Sequence, residues 1–156
     1  MIEVDVPGFG HLRLGHAVFD VNGTLAVDGE PVPEIGPQLS ALALQVQIHL
    51  LSALSHGNQA ALEDGLRHPI FRIEPGHEAE QKADYVRRLG AESCVAVGNG
   101  RNDVLMLEAA RLGIAVIERE GTAVRALQVS DIVVADTHTA IELLLKPQRL
   151  LATLRS

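Results

Sequence analysis

The chain reads as an α/β protein, a parallel sheet covered by helices on both faces, and three observations carry that reading. Short apolar runs alternate with amphipathic stretches along most of its 156 residues, the pattern of strands joined by crossover helices. The run over residues 17–20 stops abruptly at Asp20 and is followed by the tight-turn pair Asn22 and Gly23. A second run, SCVAVG, likewise ends in a glycine-rich turn, NGRND, at 99–103. In an open α/β sheet the carboxyl ends of the strands are where ligands bind, so Asp20 marks an expected reaction site.

Taken in order, residues 2–6 alternate apolar and polar, PGFG supplies a turn and His11 to Leu14 alternate again. This predicts a small β-hairpin feeding the first core strand. Such a hairpin suits the cover of a sheet edge or pairing with another copy. DGEPVPE at 28–34 predicts a flap beside the site, followed by a helix near 36–44. QVQIHLLSA predicts a second buried strand ending in Ser52, then a helix over 57–67 and a short strand at 69–74. Apolar spacing at Ala79, Ala83, Val86 and Leu89 predicts an amphipathic helix over 77–89 that carries Lys82. After SCVAVG and its turn, a helix is expected from Val104 to Leu112, stopped by Gly113. GIAVIE and DIVVAD predict two more strands, with helices near 122–129 and 138–145. Pro147 opens a basic terminal helix, a position where proline is well tolerated. Residues 1–156 are expected to form one domain, with the hairpin over 1–16 and the core over 17–156.

Size and composition bound the function. A chain of 156 residues buries roughly 68–70% of its unfolded surface without staples. A net charge of −7 argues against a general nucleic-acid surface. The lone cysteine, Cys94, lies in an apolar run and reads as a small core residue, so no internal disulfide is expected and a reducing cytoplasmic setting is natural. The N-terminus lacks the order of a secretory signal. The greasy stretch 39–54 is interrupted by Gln45, Gln47 and His49, so no membrane insertion is expected.

Several familiar sites are excluded. From Asp20, a calcium loop fails because Leu25 stands where glycine is needed and Pro31 where glutamate is needed. GFGHLRLG misses the dinucleotide spacing and precedes a strand. No Walker-type phosphate loop occurs, and the histidines have no zinc-ligand spacing. What remains is a set of polar residues at strand ends: Asp20, Ser52, then Lys82 on a helix, then Asn99 and Asp103 across a glycine turn. Singly, Ser52 reads as a helix cap, Lys82 as a solvated helix residue and Asn99 as a turn residue. Together they supply a nucleophile, a hydroxyl donor, a cation and a metal carboxylate.

DVNGTLA, the serine of HLLSA, Lys82 and GNGRNDVLML resemble the four motifs of the haloacid dehalogenase-like hydrolases, over nearly the whole chain. Within them the chain is most similar to soluble proteins related to the phosphorylation domain of P-type ATPases. The resemblance implies a Rossmann-like sheet and attack by Asp20 on a phosphoryl group to give an aspartyl-phosphate. It also implies a magnesium ion held by Asp20, the backbone carbonyl of Asn22, Asn99 and Asp103. The phosphate would meet Val21, Asn22, Ser52 and Lys82, the last two in electrostatic roles. The partner is a phosphorylated substrate, small or protein-borne, and a homo-oligomer is implied only by analogy with relatives that lack a cap domain.

Two residues depart from the family pattern. Asn22 stands where phosphatases carry the aspartate that shuttles protons, and Asn99 where the fourth motif has the aspartate that touches magnesium. The first departure favours a long-lived phosphoenzyme; the second removes an anionic ligand. The spacing leaves no room for either common cap domain, so the site is expected to be open. Two functions follow: a magnesium-dependent phosphohydrolase, or a catalytically weakened module kept for binding or regulation. Convergence of Ser52, Lys82 and Asp103 on Asp20 is required by the first, and a Lys82 salt bridge filling the metal space would favour the second. Arg101 reads as a solvated turn residue that borders the site, and His56 as a weak candidate base.

Overall fold

The computed structural model describes residues 1–53 and 58–156. Its centre is a six-stranded, wholly parallel sheet in the order β10-β9-β8-β3-β6-β7, where β3 is His16–Asp20, β6 Gln47–Ser52, β7 Ile70–Arg72, β8 Cys94–Gly98, β9 Leu112–Val116 and β10 Ile132–Val134. Alternation along each strand builds two apolar layers. Ala17, Phe19, Val95 and Val97 face a core closed by α1 (Ile35–Leu42), α2 (Gln59–Leu66), α6 (Thr137–Leu145) and α7 (Pro147–Leu154). Val18, Leu51, Cys94 and Ala96 face the opposite core, closed by α3 (Glu78–Leu89), α4 (Val104–Ala109) and α5 (Val124–Val129). The expected α/β sheet with helices on both faces is therefore present.

Chain order reverses at β3. The chain leaves β3 toward β6 and β7 on one side, then crosses through α3 to β8 on the other. Asp20 thus ends the strand at the topological switch point, where a crevice opens between diverging connections.

The N-terminal hairpin pairs β1 (Ile2–Val6) with β2 (Gly10–Leu14) in antiparallel register. It pairs with neither edge strand, β7 or β10, so it does not cover a sheet edge. It enters instead at the amino ends of the central strands, where Gly15 N donates to Ser93 O and Gly15 O accepts from Gln47 N, both at 2.9 Å. Ile2, Val6, Leu12 and Leu14 are buried there, and the C-terminal Ser156 N donates to Pro7 O. The flap forms the short ribbon β4 (Ala26–Val27) and β5 (Glu30–Pro31), with Asp28 and Gly29 at φ 53° and 80°. That is the pairing of conformations a two-residue hairpin loop demands.

The largest difference from the expected boundaries is at α4. Helix α4 ends at Ala109, and Gly113 lies inside β9. A Cβ at Gly113 would stand 2.6 Å from Leu107 O. The glycine is there to let strand and helix backbones approach closely, not to stop the helix.

Candidate active site

The turn after β3 is built on one acceptor. Val21 O receives the N–H groups of Thr24, Leu25 and Ala26 at 3.2, 2.9 and 2.9 Å, and Leu25, fully buried, pins the turn to the core. Gly23 takes φ 83° and lies so close to the next motif that a Cβ would stand 2.4 Å from Asn99 Nδ2. Val21 is buried, with its N–H given to Leu51 O at 3.0 Å; its visible part is to shape the turn. The turn's hydrogen bonds run through Val21, Gly23 and Ala26 and leave the Asn22 carbonyl outside them.

Lys82 joins Asp20 to Asp103, while Ser52 meets Asn22 and makes no hydrogen bond to Asp20. Lys82, wholly buried, places Nζ 2.6 Å from Asp20 Oδ1 and 2.8 Å from Asp103 Oδ1. Asp103 Oδ2 accepts the N–H groups of Asn99 at 3.0 Å and Gly100 at 2.9 Å. Gly98 has no side chain because that carboxylate occupies the space: a Cβ would be 2.7 Å from Asp103 Cγ. Across the cleft, Asn22 Nδ2 donates to Ser52 Oγ at 2.8 Å. A cavity of about 100 Å3 opens beside these two, lined also by Gly29, Gln59, Leu62 and Ile70. Arg101 is exposed on the fourth-motif turn. His56 lies outside the described residues.

Two residues without an expected role complete the site. Thr24, fully buried, places Oγ1 3.4 Å from Asp20 Oδ2 and 3.3 Å from Asn99 Oδ1. Thr137, the first residue of α6, donates its hydroxyl to Thr24 O at 2.5 Å, and its own N–H goes to Glu118 Oε1 at 3.0 Å. The only sequence signal for Thr24 is its place in the NGTL motif; Thr137, remote in sequence, carries none.

Electrostatics follow from burial. Desolvation, with the Asp103 carboxylate adding to it, outweighs Lys82 and pushes the Asp20 carboxyl up to about 7. Burial alone would depress the Lys82 ammonium, but the two carboxylates beside it win and raise its pKa. Two carboxyl groups thus share a single ammonium.

The donor set fits a hard divalent cation. Asp20 Oδ2 and Asn99 Oδ1 have the Thr24 hydroxyl as a distant shared neighbour, and the Asn22 carbonyl is outside the turn's hydrogen bonds. These are three oxygens of the kind magnesium takes alongside water. The Asn99 amide is held by both ends, its Nδ2 donating to Gly121 O at 3.0 Å and its Oδ1 lying 3.3 Å from the Thr24 hydroxyl. Asp103 is differently placed: both its oxygens are already engaged, one by Lys82 and the other by two backbone N–H groups.

The same architecture occurs in solved structures. The 3-deoxy-D-manno-octulosonate 8-phosphate phosphatase of Moraxella catarrhalis, crystallised with magnesium, phosphate and KDO, superposes with a TM-score of 0.68 at 18% identity, covering 89% of this chain and 90% of that one. The cobalt-bound Haemophilus influenzae phosphatase of the same substrate gives 0.68 at 15% identity, over 92% and 94% of the two chains. A zinc-transporting PIB-type ATPase in its E2.Pi state gives 0.61 at 27% identity, over 79% of this chain and 20% of that one. No family model matches the chain. The protein has the haloacid dehalogenase-like fold, in a form shared by phosphatases and by the catalytic domains of P-type ATPases. More narrowly, it belongs to the same family as the uncharacterized protein MJ0073 of Methanocaldococcus jannaschii, to which it is 51% identical over 90 residues, 55% of this chain and 97% of that protein.

Proposed function

We propose that the protein is a magnesium-dependent phosphohydrolase that works through an aspartyl-phosphate on Asp20, with slow release of phosphate. The carrying observation is the placement of Asp20 at the switch point, with Lys82 Nζ on one carboxylate oxygen and the Thr24 hydroxyl, shared with Asn99, beside the other. In this reading a carboxylate oxygen of Asp20 attacks phosphorus, and the bond from phosphorus to the leaving oxygen breaks in line. Ser52 and Lys82 donate to the phosphoryl oxygens. Asp20, Asn22 O and Asn99, with Asp103 supporting, would hold magnesium, which when bound would supply charge neutralisation for the phosphoryl group. Water then attacks phosphorus and frees the Asp20 carboxylate, its proton passing to solvent because the Asn22 amide cannot accept it. Loss of a positioned base costs about 10²–10⁴ in rate.

The substrate class is a phosphorylated small molecule or a protein-borne phosphate. Between β3 and β6 stand only the flap and α1, and the described residues between Ser52 and Lys82 form α2, β7 and the start of α3, so the mouth is open to either. No helix among the described residues is long and apolar enough to cross a membrane, and the setting we infer is the cytoplasm, with residues 1–156 acting as one domain.

A second reading has its own observation. The Lys82 ammonium spans Asp20 and Asp103, and buried side-chain polar atoms among the described residues all have partners, which is how a module retained for binding would also satisfy its charges. Trapping with acetyl phosphate or beryllium fluoride plus magnesium, read by intact mass and peptide mapping with Asp20→Asn as control, separates the two. A magnesium-dependent adduct on Asp20 is expected; its absence, with no magnesium binding at millimolar concentration, selects the binding module.

A further inference from the structure

The donor arrangement says more about what enters the site than the family pattern does. Of the two buried carboxylates, Asp103 is the more heavily engaged: Oδ1 accepts from Lys82 at 2.8 Å and Oδ2 from two backbone N–H groups at 2.9 and 3.0 Å, so drawing it onto a cation strains a network of three hydrogen bonds. The less engaged oxygens are Asp20 Oδ2, whose one partner among the described residues is the Thr24 hydroxyl at 3.4 Å, the neutral amide oxygen of Asn99 and the neutral carbonyl of Asn22. A dication arriving alone therefore meets a single anionic ligand, and affinity for hard cations falls with the count of charged ligands. A phosphoryl group arriving alone fares no better. It finds Lys82 already shared between two carboxyl groups, which repel a dianion at short range when both are ionised. Each partner supplies what the other lacks: the phosphoryl oxygens complete the anionic shell of the cation, and the cation offsets the charge that excludes the phosphoryl group.

We propose that in this chain magnesium and the phosphoryl group bind as one unit, so that the substrate recognised is the magnesium-complexed phosphoryl compound and neither component occupies the site appreciably by itself. The proposal rests on the phosphohydrolase reading and names the form in which its substrate arrives. Asn99 is the residue that enforces the coupling. An aspartate there, of the same shape, would give the cation a second charged ligand and let it bind first.

The test is a linkage measurement on the whole chain. Magnesium is titrated alone, inorganic phosphate alone, and each in the presence of the other, followed by calorimetry and by the amide signals of Gly23, Asn99 and Gly100. The expected result is weak binding of either alone, and a reciprocal tightening of roughly 10- to 100-fold when the other is present, the two factors being equal by linkage. Asn99→Asp is expected to tighten magnesium alone by roughly tenfold and to shrink the coupling. The wild-type linkage stands without the variant, so a folding defect in Asn99→Asp leaves the test intact. Magnesium binding that is equally tight with and without phosphate overturns the proposal while an adduct on Asp20 keeps the phosphohydrolase reading. Failure of the pair to bind together, with no adduct on Asp20, overturns both.

Discussion

The strand β3 begins at His16 and ends at Asp20, and its two ends are built on opposite physical terms. At the amino end the hairpin closes the core with Ile2, Leu12 and Leu14, and the polar groups form a short chain of side chains: His16 Nδ1 lies 3.2 Å from His49 Nε2, and His49 Nδ1 3.0 Å from the Tyr85 hydroxyl. At the carboxyl end a lysine and two aspartates are buried against one another. Buried ion clusters are weak evidence for stability, because desolvation consumes much of the Coulombic gain. The contrast teaches that one end of the sheet holds the fold together while the other holds charge where chemistry can use it.

If that division is right, the largest effect belongs to a change that leaves stability alone. Asn22→Asp restores a carboxylate to the position facing Ser52 and is expected to speed decay of the Asp20 phosphoenzyme by about 10²–10⁴, measured as loss of the mass adduct with time. An unchanged decay rate would remove the role assigned to Asn22. Next comes Lys82→Met, which strands two buried carboxylates and is expected to cost about 3–5 kcal/mol in urea unfolding; adding Asp103→Asn to that variant should recover part of the loss. At the other end, Leu12→Ala should cost about 2–5 kcal/mol yet leave joint magnesium and phosphate binding as in the wild type. Altered ligand binding in that variant would erase the division between the two ends.

The smallest effect is a pH dependence. Burial, and then the neighbouring His16, lower the pKa of His49, so the native state favours the neutral ring. The unfolded chain takes up a proton near pH 6.5, and the native state resists it. The resulting stability is present above pH 6.5 and declines as the pH falls below it. Thermal melting between pH 8 and 5 should show a component of acid destabilisation that His49→Gln lacks.

The alternation of apolar runs suffices to place every strand of the six-stranded sheet, because burial on both faces leaves a short, greasy, unmistakable signature. Asp20, Ser52, Lys82, Asn99 and Asp103 are legible for a related reason: each stands at a strand end or on the helix packed behind it. Lys82 taken alone resembles a solvated helix residue, and only its partners 62 and 21 positions away explain its burial. Thr137 is beyond local reading altogether, since its contact with Thr24 spans 113 positions and no periodicity encodes it. The end of α4 is misread because Gly113 answers to the crowding of Leu107 O, a tertiary constraint that mimics a helix stop.

The close approach of Gly23 to Asn99 has a consequence for how such a site can change over generations. A side chain at position 23 would collide with residue 99, so that position is closed to substitution, whereas asparagine and aspartate at 99 have the same outline and their codons differ by a single base. The same holds for Asn22. On the reading proposed above, rapid hydrolysis and persistent phosphorylation would be near neighbours in mutational space on this backbone, separated by single exchanges of side chains with the same outline.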